Sequence, residues 1–217
     1  MLSFFKKKPD RPDWVLAYEQ SNFRPGARLK LYDLEYCVLD CETTGLHKEA
    51  SVVSIGGVLA TGRDIRMQDC LDIKWPTHEG NESTEIHEEL PTNPQDFDVE
   101  SALCKMLTFI ADRPIVGHNI AFDIQKLNQL FGQFYHGFKL RNKVLDTSKL
   151  MIRLDAEKYE RSVGGFHGLQ LDVVCADFKI PVENRHTALG DAFMTALVFQ
   201  RIVDRLDQRG IGSWMDL

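Results

Sequence analysis

Three short blocks of this chain, DCETTGLH (Asp40 to His47), HNIAFD (His118 to Asp123) and HTALGD (His186 to Asp191), hold residue types able to gather metal ions and move protons. Asp40 and Glu42 lie two apart in a run of strand-forming residues, so strand geometry points both side chains to one face with their oxygens converging. Convergent carboxylate oxygens are what a hard divalent cation takes as ligands. Asp123 and Asp191 add two further acids. Such a set can hold two ions about 3.5–4 Å apart, which neutralises a phosphodiester, lowers the pKa of an attacking water and stabilises a leaving oxygen.

HTALGD sets a geometric condition. Residues five apart on one continuous helix are turned roughly 140° from each other, so His186 and Asp191 cannot share a helical face. With Thr187 as N-cap, Asp191 is presented from the first turns of the helix while His186 stands on the preceding loop, free to swing against a water. A histidine there suits a general base near neutral pH. Each block alone has a plainer reading. Asp40 and Glu42 read as exposed acids at a strand end, Asp123 as a carboxylate favoured by the positive end of a helix, and His186 as a surface-loop histidine. Cys41 points to the opposite face from its acidic neighbours and belongs with the core. His118, just before a helix start, reads as a residue that orients a loop.

Together, and in this order, the blocks resemble the DEDD exonuclease superfamily in its histidine-bearing DEDDh branch, which includes the proofreading epsilon subunits of bacterial DNA polymerase III. The sister branch carries a tyrosine four residues before the last aspartate, where this chain has Thr187. The resemblance covers Glu35 to Leu206. It implies an α/β, ribonuclease H-like fold with a central five-stranded mixed sheet flanked by helices. It also implies that Asp40, Glu42, Asp123 and Asp191 hold two Mg2+ or Mn2+ ions while His186 deprotonates the attacking water. In that scheme Asp40 bridges both ions, Glu42 and Asp191 serve the one on the water side, and Asp123 supports the other.

The implied activity is 3'-5' hydrolysis of the terminal phosphodiester of single-stranded DNA, releasing nucleoside 5'-monophosphates in proofreading or repair. RNA trimming, oligoribonucleotide degradation, or service mainly as a polymerase-associated interaction subunit are the alternatives. The Thr43-Thr44-Gly45 turn can offer backbone donors to the last nucleotide while Leu46 wedges against its base. Phe122 either stacks near that nucleotide or belongs to the core. Ile86-His87 echoes a family motif after the third strand and places His87 among the substrate contacts, although Glu88 and Glu89 follow where glycine is frequent. Asp146 matches a recurrent family position and reads as a helix cap or a support behind the ligands.

Composition bounds these expectations. A chain of 217 residues, 43% hydrophobic, has the length for one full-sized core. Its net charge of -6 lacks the basic excess expected of a protein that grips a long nucleic-acid backbone, and instead suits handling of a strand end through bound cations. The five cysteines show no CxxC pair and no zinc-type spacing, so they read as reduced, mostly buried thiols. MLSFFKKKPD does not have signal-peptide order, and no window approaches a membrane span, so a cytoplasmic protein that does not enter membranes is expected.

The elements needed to position these blocks are legible as patterns. Residues 1–34 form a leader with a three-lysine run that reads as merely solvated, and a short helix around Asp13 to Gln20. Residues 35–208 are expected to form the exonuclease domain the resemblance implies, and 209–217 a tail whose Trp214 and Met215 look exposed. Glu35 to Cys41 reads as a strand, followed by a hairpin of Ser51 to Ala60 and Asp64 to Trp75 turned at Thr61-Gly62-Arg63. Val99 to Ala111 is predicted helical, with Leu103, Met106, Leu107 and Ile110 at helical spacing. A short strand at Pro114 to Gly117 precedes a helix capped by Asn119 and running to Phe131. Lys143 to Asp146 reads as an edge strand. Helices follow at Leu169 to Phe178 and Thr187 to Leu206, the latter with Ala188, Ala192, Ala196 and Phe199 along one stripe.

Overall fold

The computed structural model describes residues 11–21, 28–76, 97–159 and 169–217. Its first sheet strand, β1 (Tyr36–Thr43), is buried over its first four residues and half-buried over the last four. Tyr36 and Val38 enter one hydrophobic cluster, Cys37 and Leu39 the other. A strand with apolar residues on both faces needs a layer on each side. β1 is accordingly the middle strand of a five-stranded sheet ordered β3-β2-β1-β4-β5. β2 (Val52–Ala60) and β3 (Ile65–Lys74) form an antiparallel meander with β1, whereas β4 (Ile115–Gly117) and β5 (Val144–Asp146) run parallel to it. The β2–β3 hairpin turns where expected. Thr61 donates its amide to Asp64 O at 2.8 Å, and its hydroxyl accepts from the amides of Arg63 and Asp64.

Against the face of Cys37 and Leu39 lie α1 (Asp13–Gln20), α2 (Val99–Ile110) and α3 (Ala121–Phe134). Asp98 caps α2 by accepting from the Ser101 amide at 2.9 Å, and the predicted stripe of Leu103, Met106, Leu107 and Ile110 is buried. Each such side chain contributes about 1.5–3 kcal/mol by leaving water. The opposite face holds α4 (Thr147–Leu154), α5 (Ala156–Tyr159), α6 (Leu171–Phe178) and α7 (Ala188–Gln208). Ala188, Ala192, Ala196 and Phe199 of α7 are all buried, and the small residues of that stripe let the helix lie close on the sheet.

Two expectations need correction. Asn119 is not an N-cap: its φ is +55°, α3 begins after Ile120, and its side-chain amide donates to Leu169 O at 3.0 Å. The left-handed conformation, which asparagine tolerates better than most residues, turns the chain sharply from β4 into the helix. Trp214 is half-buried against the core and donates its amide to Leu29 O at 3.1 Å, so of the two tail side chains only Met215 is well exposed. A bridge between Lys30 and Ser213 ties these segments together. The helix expected near Asp13 to Gln20 is present and packs on α2, with Val15 and Tyr18 buried. The five cysteines are unpaired, two buried and three half-buried. Among the described residues no helix is long and apolar enough to cross a membrane.

Candidate active site

The period of a strand carries Asp40 and Glu42 onto the same face as Tyr36 and Val38, the face covered by α7. Across the ladder Asp40 pairs with Gly56. A Cβ at Gly56 would lie 2.1 Å from the backbone carbon of Ala188, so only glycine lets the start of α7 sit directly on β2. That close approach delivers Asp191 to the strand acids. Ligand oxygens of Asp40, Glu42 and Asp191 all lie within 4.8 Å of one another. Burial, reinforced by the charges of Asp123, Asp191 and Glu42, raises the Asp40 carboxyl well above the usual carboxylate range.

Asp123 reaches the cluster by another route. β4 pairs with β1 only at Cys37 and Val38. Beyond that point no described strand pairs with β1 on this edge, and the Cys41 amide donates instead to Asp123 Oδ1 at 3.0 Å. The carboxylate thus takes the place of the missing strand's carbonyl. Asp123 is in the first turn of α3 as expected, but the macrodipole is outweighed: burial pushes its carboxyl up to about 7. Cys41 is half-buried against the second cluster, on the face predicted for it.

The block HTALGD adopts the expected arrangement, with Thr187 capping α7 by accepting from the Gly190 amide at 3.2 Å while donating to Asn184 O at 2.7 Å. A Cβ at Gly190 would come within 2.3 Å of that same Asn184 carbonyl. His186 stands exposed on the loop before the cap, with φ +63°. Beside it Arg185, which sequence reasoning did not single out, bridges Asp172 of α6, at 2.6 Å, and Asp191. Its only sequence signal is its place directly before the block, since the pairing with Asp172 depends on how α6 packs. Burial raises the Asp191 carboxyl despite Arg185.

Among the described residues Asp191 Oδ1, which is buried, has no hydrogen-bond partner. Such a carboxylate oxygen, in a cluster whose acids raise the Asp40 carboxyl, is relieved by a cation, and an all-oxygen donor set suits a hard one. The residues present therefore fit a divalent ion such as Mg2+ or Mn2+.

A cavity of about 420 Å³ opens between Asp40, His118, Arg185, His186 and Asp191. His118 serves as a strut: its Nδ1 pairs with Thr147 Oγ1 at 2.8 Å and its Nε2 with Leu169 O at 2.5 Å, and desolvation holds its pKa below the ordinary value. Asp146 caps α4 through the Ser148 amide and also accepts from the Asn119 amide at 3.0 Å. In the TTGL turn the threonines hold the turn itself. Thr43 Oγ1 donates to Gly45 O at 2.8 Å, and Thr44 spends both amide and hydroxyl on Ser51. Leu46 is 73% exposed. Phe122 is half-buried beneath the Lys126 ammonium, 5.0 Å from its ring centre. His87 lies outside the described residues.

The exonuclease family model, RNase_T, matches residues 37–199. The chain is 31% identical over 184 residues to a DNA polymerase III PolC-type of Thermotoga maritima, covering 82% of this chain and 12% of that protein. It is 32% identical over 120 residues to the DNA polymerase III subunit epsilon of Aquifex aeolicus, covering 55% of each. The chain therefore spans little more than half the length of the second relative and far less of the first. Among solved structures, E. coli exonuclease I in complex with a dT13 oligonucleotide superposes with a TM-score of 0.56 at 16% identity, over 82% of this chain and 43% of that one. Cell-death related nuclease 4 does so with a TM-score of 0.56 at 12% identity, over 78% of this chain and 64% of that one. These likenesses show the ribonuclease H-like fold.

Proposed function

The chain belongs to the exonuclease family, and we propose that it is a 3'-5' exonuclease that removes nucleoside 5'-monophosphates from the end of single-stranded DNA. The observation that carries this reading is the convergence of Asp40, Glu42 and Asp191 within 4.8 Å, from a strand and a helix about 150 residues apart in sequence. The names of the relatives, a DNA polymerase III PolC-type and a DNA polymerase III subunit epsilon, favour DNA over RNA and a cytoplasmic setting beside a DNA polymerase.

In this reading Asp40, Glu42, Asp123 and Asp191 would hold two Mg2+ or Mn2+ ions. Bound there, such ions would supply neutralisation of the phosphate, acidification of the attacking water and stabilisation of the leaving 3'-oxygen. His186, exposed at the rim of the cavity, takes the proton from that water. Leu46, the side chain of the TTGL turn that projects into solvent, packs against the terminal base, and Thr43, Thr44 and Gly45 hold it there. Phe122 and His87 complete the proposed nucleotide contacts.

Purified protein incubated with labelled single-stranded DNA, duplex DNA, RNA and dinucleotides, with and without chelator, tests this directly. The expected result is stepwise loss from a free 3'-hydroxyl of single-stranded DNA, abolished by chelator and restored by Mg2+ or Mn2+. Undiminished hydrolysis after thorough demetallation, internal cuts in a circular strand, or 3'-phosphate products would overturn it. Preference for RNA would move the substrate assignment to the alternative.

A further inference from the structure

Lys126 is a lysine only 2% exposed, on the inner side of α3 three residues beyond Asp123. Its ammonium donates to three backbone carbonyls, His47 O at 3.0 Å, Lys48 O at 2.8 Å and Ala50 O at 2.7 Å. An ammonium has three protons to donate, so this set satisfies it fully. The same group lies 5.0 Å from the centre of the Phe122 ring. The three carbonyls belong to the loop directly after Leu46. Leu46, His47, Lys48 and Glu49 are exposed, and the loop borders an open cavity of about 840 Å³, so apolar packing does not hold it from that side. A surface loop with little apolar burial opens readily unless polar contacts fix it.

We propose that Lys126 is a positioning residue that sets both walls of the terminal-nucleotide pocket, fixing the backbone behind Leu46 and the ring of Phe122 with one charge. The proposal rests on the reading of Leu46 as the base contact. The three hydrogen bonds of the Lys126 ammonium all go to carbonyls of the loop and none to the carboxylates. It acts through Leu46, whose height above the β1 acids depends on the loop the ammonium gathers. Displacing a substrate-positioning side chain by about 1 Å can cost up to roughly 10²-fold in rate or binding.

The test compares Lys126→Met, Leu46→Ala and the double variant on a labelled single-stranded DNA oligonucleotide. Amide hydrogen exchange of residues 44–51 and calorimetric Mg2+ titration are run on the same proteins. Lys126→Met should raise KM on the order of tenfold with kcat and Mg2+ affinity retained, and should speed exchange in the loop while leaving α7 unchanged. In the Leu46→Ala background it should add little, since a clamp that works by placing Leu46 has nothing left to place. Lys126→Gln, which keeps amide donors on a shorter stem, should fall between, and it carries the comparison if the methionine variant does not fold.

Full additivity of the two substitutions, or unchanged loop exchange, would overturn the proposal. Failure of the unaltered protein to degrade any oligonucleotide would instead sink the functional reading, and loop exchange would still decide whether Lys126 is the clamp.

Discussion

The amide of Cys41 donates to Oδ1 of Asp123 across 3.0 Å, joining the central strand to a carboxylate 82 positions later in the chain. The contact exists because β4 stops short of the end of β1. It brings Asp123 to the sheet end where Asp40, Glu42 and Asp191 converge, and there the other three acids raise the cost of ionising Asp40.

That cost is relieved when one charge is removed. Asp40→Asn should abolish Mg2+ binding and hydrolysis yet raise the melting temperature of the metal-free protein at pH 8, by about 2–4 °C for each kcal/mol of repulsion released. Differential scanning calorimetry beside metal titration reads both. A metal-free variant less stable than its parent would mean that the acids are not in mutual strain.

Burial of these acids also makes stability depend on pH in a defined direction. Burial first of all pushes Asp123 up to about 7, from an unfolded value of about 4. The folded state therefore binds the proton more tightly than the unfolded chain. The contribution is fully present below about pH 4 and is lost as pH rises through about 7. Metal-free protein should lose stability along this window, and Mg2+ should raise the melting temperature more at pH 8 than at pH 5. Equal Mg2+ shifts at both pH values would contradict the linkage.

His186 and Asp191 flank the cap of α7 but carry different work. His186→Ala should keep most Mg2+ affinity and lower kcat by roughly 10²–10⁴-fold, the loss typical of a missing general base. Turnover equal to that of the parent would make the histidine a bystander.

Gly56 is the position where the fold itself supports the site. Gly56→Ala would drive its Cβ to 2.1 Å from the Ala188 backbone, which cannot yield as a side-chain tip would. It should cost about 1–3 kcal/mol or more in urea unfolding and weaken Mg2+ binding by lifting Asp191 from Asp40. Unfolding and metal-binding curves that overlay those of the parent would show that α7 does not depend on this approach.

Local pattern was enough to specify much of this molecule. A period of two placed Asp40 and Glu42 on one face of β1, and a period near 3.6 placed Leu103 to Ile110 and Ala188 to Phe199 on buried stripes. The short side chain of Thr187 marked where α7 begins. These are properties of a few consecutive residues, so they can be read without knowing what packs against them. Other features arise only when distant segments meet. Asn119 looked like a cap, but its conformation follows from the path between β4 and α3 and its tie to Leu169. The macrodipole argument for Asp123 gave the wrong direction because desolvation by the assembled core is the larger effect. Arg185 and Lys126, ordinary charges in the sequence, acquired their partners from α6 and from the loop after Leu46. Periodicity decides which face a residue occupies; only the packed sheet and helices decide which charges, carbonyls and amides wait there.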